Sequence, residues 1–66
     1  MPIRKKLKET IQEIYRTQDR CAYEIGIDSA VLSRIINCTK DPTHDQMELL
    51  SKNLGMTSKE INKKDV

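Results

Sequence analysis

The chain has no Trp, no Phe and only two Tyr among its 66 residues. So few aromatic side chains exclude an all-β core, which uses them to cover a pleated surface. Gly and Pro together number four, too few for many short strands joined by tight turns. Long apolar runs are missing too. The longest aliphatic stretch is Ala30-Val31-Leu32, so nothing spans a membrane. The basic start Met1-Pro2-Ile3-Arg4-Lys5-Lys6 is followed by no apolar segment and does not read as a secretory signal. Cys21 and Cys38 are the only cysteines, and the expectation is a cytoplasmic protein with reduced thiols.

What is present is charge, unevenly placed. The net charge is only +2, yet residues 1–20 carry six Lys/Arg (Arg4, Lys5, Lys6, Lys8, Arg16, Arg20) against Glu9, Glu13 and Asp19. A basic amino-terminal section on a near-neutral domain suits a polyanion lying against one face. The competing reading is a set of solubilising charges on a surface helix.

Apolar spacing divides the chain into five short helices in one domain, residues 1–66. Ile3, Leu7, Ile11 and Ile14 form one stripe of a first helix that opens at Pro2 and ends near Tyr15 or Arg16. Thr17 is a natural N-cap for a two-turn helix carrying Cys21, Ala22 and Ile25, which Gly26 ends by taking positive φ. Asp28 caps a third helix with Leu32, Ile35 and Ile36 on one face, and Asn37 to Pro42 form a loop. Thr43 and Gln46 make a capping box for a fourth helix with Met47, Leu50 and Leu54 inside, ending at Gly55. Thr57 and Glu60 make another, opening a last helix with Ile61. Tyr23 is expected half-buried on the second helix, and His44 solvated on the fourth.

Function is concentrated at the join of the second and third helices. Two short helices separated by Gly26-Ile27-Asp28 make a helix-turn-helix, over about residues 17–37. At 100° per residue, Ala30, Ser33, Arg34 and Asn37 lie opposite the apolar side of the third helix, with Ser29 at its exposed first turn. An ordinary surface helix would hold more Glu and Lys. Small side chains let a helix backbone approach base edges, and Arg34 can reach guanine with two hydrogen bonds.

Residues 17–43 contain a TQ-x-x-x-A-x-x-x-G-I core, the run Leu32-Ser33-Arg34-Ile35, an Asn before the loop and a Pro-Thr opening the fourth helix. In these features the chain resembles the Cro/phage-repressor (XRE-type) helix-turn-helix family, from about Leu7 to Ile61. The resemblance implies a compact five-helix, lambda-repressor-like domain that binds operator DNA as a two-fold dimer. By position it implies that Ser29, Ala30, Ser33 and Arg34 face bases. It also implies that Gln18, Asn37, Thr39 and Lys40 contact phosphates. Cys38 departs from the family pattern, which commonly has Gly there, and Ile36 stands where an acidic residue is frequent.

A dimer would double the reader and bury more apolar surface for a small domain. The expected interface is the segment of about residues 54–66, through Met56, Ile61 and Val66. No cofactor or small-molecule substrate is expected. Cys21, Cys38 and His44 lack the paired spacing of a zinc site, and no Gly-rich phosphate loop or catalytic cluster marks an enzyme. A protein-interaction module would show Leu, Met or aromatic anchors on the third helix, where this chain shows Ser, Ala, Ser and Arg. Within DNA binding, a phage or prophage Cro-like repressor and the antitoxin of a toxin–antitoxin pair both remain open, as does an activator.

Overall fold

Among the described residues a side-chain oxygen caps four of the five helices at the amino end. Thr17 accepts from the Arg20 amide at 3.2 Å and Asp28 from the Ala30 amide at 2.8 Å. Thr43 and Thr57 do the same within reciprocal capping boxes closed by Gln46 and Glu60. Each such oxygen satisfies a donor that the first turn leaves without an intrahelical acceptor. The computed structural model describes residues 2–65. It is all-α, with α1 (Lys5–Tyr15), α2 (Gln18–Ile25), α3 (Ser29–Ile36), α4 (His44–Leu54) and α5 (Ser58–Asn62). Gly26 (φ 83°) and Gly55 (φ 66°) terminate α2 and α4 in the left-handed region that glycine enters without steric cost.

One core unites all five helices. Leu7 and Ile11 of α1 meet Cys21, Ala22 and Ile25 of α2, with Ile27 of the turn beneath them. Leu32, Ile35 and Ile36 lock α3 onto this base, and Leu50, Leu54, Met56 and Ile61 close it from the carboxyl-terminal side. Burial pushes the Cys21 thiol up to about 11, so it serves as a small apolar side chain. Among the described residues no helix is long and apolar enough to cross a membrane.

The expected first helix differs in two ways. It begins at Lys5 rather than at Pro2, because the Ile3 backbone pairs with Asp65 instead, through two hydrogen bonds of 2.8 Å. Ile14 is 50% exposed, and Tyr15 beside it packs against the core in its place.

The expected dimer interface also needs correcting. Met56 is 5% exposed and Ile61 fully buried. Both fill this chain's own core, where α5 packs on α4 and α1, and the Ser51 hydroxyl fixes the Met56 carbonyl at 2.5 Å. Their apolar surface is therefore spent within the chain and not offered to a second copy. Val66 lies outside the described residues. Among the described residues the exposed large hydrophobic side chains are Ile14 and Tyr23, the latter at 88% rather than half-buried.

Candidate nucleic-acid interface

α2 and α3 are joined by Gly26-Ile27-Asp28, and the join is tight because two amides share one carbonyl. Gly26 and Ile27 both donate to Ala22 at 3.0 Å. Ala22 is 1% exposed, small enough for the helices to cross closely, and the Ile27 side chain plugs the turn. The start of α3 is thereby held on the core, and its outer face is left free.

That face carries the expected residues. Ser29, Ala30 and Arg34 are exposed and Ser33 is half-buried. Asn37 is exposed one turn further on, its amide 3.5 Å from the Ser33 hydroxyl. Among the described residues Arg34 makes no ion pair, nor does Lys40, so both cations face solvent unneutralised. Gln18 is the first residue of α2, half-buried beside the Thr17 cap, where amide donors and the helix dipole favour an anion. An open groove of about 300 Å³ borders Ser29, lined also by Asp19, Ala22, Tyr23 and Ile27.

The loop after α3 is more ordered than its polar composition suggests. The last four carbonyls of a helix have no intrahelical donor, and here all four are satisfied. Ser33 accepts from the Asn37 amide (3.0 Å), and Arg34 from the amides of Thr39 (2.9 Å) and Lys40 (3.3 Å) and from the Thr39 hydroxyl (3.2 Å). Ile35 accepts from the Cys38 amide at 3.2 Å, and Ile36 from the Arg4 amide at 2.7 Å. The paired bonds Thr39 to Arg34 and Cys38 to Ile35 form a Schellman turn. Its left-handed residue is Cys38, at φ 61°. Asn37, a residue type that tolerates positive φ, instead sits at φ −83° as the last near-helical position. Cys38 thus adopts the geometry that glycine would supply, at some strain to an L side chain. Thr39 and Lys40 are exposed on this turn, on the same end of α3 as Arg34.

Arg4 escaped sequence reasoning, which grouped it with surface cations. Its side chain is 1% exposed. Its guanidinium donates to the Ile35 carbonyl at 2.6 Å, to the Asp41 carboxylate at 2.9 Å and, at a longer 3.5 Å, to the Lys40 carbonyl. The Arg4 hydrogen bond, with Lys64 at 3.8 Å, holds the Asp41 carboxyl below its usual range. Arg4 is therefore unavailable to a polyanion. Lys6 is committed as well, to Glu60 at 2.6 Å, and Arg20 stands 3.9 Å from Glu24. Lys5, Lys8 and Arg16 are the cations of the amino-terminal section that make no ion pair among the described residues. In one dimension nothing separates Arg4 from Lys5 and Lys6; the nearest signal is the acid Asp41, distant in sequence.

No protein-family model, curated protein or solved structure matches this chain.

Proposed function

We propose that this chain is a sequence-specific binder of double-stranded DNA, a small cytoplasmic repressor of the Cro type that reads an inverted-repeat operator as a homodimer. One observation carries the reading. A short helix, fixed on the core by a tight turn at one end and a fully satisfied Schellman turn at the other, presents Ser29, Ala30, Ser33 and an unpaired Arg34 outward. Such a face is too small and polar to anchor a protein, and it suits insertion into the major groove. Arg34 reads a base; Gln18, Asn37, Thr39 and Lys40 grip phosphates on either side.

A titration of mixed-sequence duplex DNA at several salt concentrations tests this. Each phosphate neutralised contributes a slope of about −0.9 to log K against log salt. A slope corresponding to several phosphates supports the reading, and a flat one contradicts it. A second reading, an antitoxin that binds DNA and also covers a toxin, draws on the exposed Tyr23 and Ile14, which the DNA-facing surface leaves unused.

A further inference from the structure

We propose that Arg4 is a positioning residue for the phosphate-gripping loop, holding Asn37–Asp41 in fixed relation to Arg34 without touching DNA itself. This rests on the DNA reading above. The geometry is a bracket around the end of α3. From one guanidinium Nη, Arg4 donates to Ile35 in the last turn of the helix at 2.6 Å and reaches Lys40 beyond the turn at 3.5 Å. The other Nη holds Asp41 at 2.9 Å, and the Arg4 amide closes onto Ile36 at 2.7 Å. Four acceptors spread over residues 35–41 are thereby tied to one residue. The amino-terminal segment that carries it is itself anchored, because Ile3 and Asp65 exchange two 2.8 Å bonds and Lys64 stands 3.8 Å from Asp41.

Burying an arginine is expensive, and a well-packed apolar residue of similar volume often serves a core equally well or better. The guanidinium Nε is buried with no acceptor among the described residues, a further penalty. What an apolar residue could not supply is a rigid fork that spans the helix end and the loop. The bracket also matters electrically. Asp41 is 80% exposed beside Lys40, where a lone carboxylate would repel phosphate; the Arg4 and Lys64 charges offset it.

The test compares Arg4→Met, Arg4→Lys and Asp41→Asn with the wild type in two measurements. The first is amide hydrogen exchange of the free protein, setting Thr39 and Lys40 against core amides such as Leu32, which report global opening. The second is duplex affinity against salt, under conditions where every variant is folded. In Arg4→Met, exchange at Thr39 and Lys40 accelerates beyond any change at Leu32. Affinity falls about tenfold, as expected when the loop no longer makes one charge-assisted hydrogen bond to phosphate. The salt slope flattens by about one phosphate, with base preference unchanged. Arg4→Lys, with its single donor head, falls between, and it carries the test if Arg4→Met does not fold. Asp41→Asn keeps the carbonyl bonds and leaves loop exchange at the wild-type rate. Loop exchange that rises only in step with Leu32, or a loosened loop with unaltered affinity and slope, overturns the role of Arg4 alone. A wild-type protein without salt-dependent duplex affinity overturns the interface itself.

Discussion

The Lys6 ammonium lies 2.6 Å from the Glu60 carboxylate and ties the first turn of α1 to α5. Glu60 also accepts from the amide of Thr57, at 3.1 Å, and from its hydroxyl, at 3.2 Å. One carboxylate therefore closes the capping box of α5 and joins that helix to the amino-terminal one. The Lys6 hydrogen bond, followed by those from Thr57, lowers the Glu60 pKa from its usual 4.5 to about 2.

The pH dependence follows from that shift. A carboxyl that binds its proton less readily when folded makes the unfolded state the greater proton acceptor, so its contribution to stability rises with pH. It is fully present above about 4.5 and is lost as pH falls toward about 2. Thermal midpoints of the wild type should fall over that window, and Glu60→Gln should remove much of the fall while lowering the midpoint at neutral pH. Added salt should reduce the difference, because the pair is solvent-exposed. Identical acid profiles for the two proteins would show that the pair contributes nothing.

Cys38→Gly should stabilise the protein. Left-handed backbone costs an L residue about 1–2 kcal/mol, offset in part by the greater chain entropy of glycine when unfolded, which leaves a net gain of about 0.5–1 kcal/mol. Urea unfolding would register this as a higher midpoint at unchanged slope. A lower midpoint would mean that the half-buried thiol, 3.9 Å from the Ile36 carbonyl, packs to greater effect than its backbone strain costs.

Ile61→Ala separates core from interface. Since Ile61 is fully buried within one chain, truncation should cost about 2–5 kcal/mol of stability. The loss should not depend on protein concentration. A loss that vanishes on dilution would return Ile61 to an interface between chains.

How much of this was legible in one dimension depended on the reach of each interaction. Thr17, Asp28, Thr43 and Thr57 cap within three residues of themselves, and Gly26 and Gly55 act on their own backbone; all were readable as written. The exposed face of α3 was equally readable, because helical phase alone places Ser29, Ala30 and Arg34. Arg4 was not. Its partners lie 31, 36 and 37 positions away, and only the folded chain shows that this one cation of a basic run turns inward. Met56 and Ile61 were misassigned for a related reason: their burial depends on where α5 docks, which local periodicity does not determine. At Cys38 the side chain itself gives no sign of a left-handed turn, which shows only in its φ of 61° and the hydrogen bonds around it.

Gln18→Ala and Arg34→Ala should fail differently. Gln18 stands at the amino end of α2, and its loss should weaken binding to all duplexes by a similar factor. Arg34 is an exposed side chain whose loss should leave stability unchanged, cost about 1–3 kcal/mol on the best site and relax one base position. Parallel titrations on the best site and on a single-position variant of it separate the two behaviours.

Whether the outward face of α3 reads DNA sequence is decided by selecting bound duplexes from a random pool, in parallel with the wild type and Arg34→Ala. The wild type should enrich an inverted repeat with half-site centres about 10 base pairs apart, and the variant should lose preference at one symmetric base pair. No enrichment by the wild type, or an enriched sequence that Arg34→Ala leaves unaltered, would contradict sequence reading by this face.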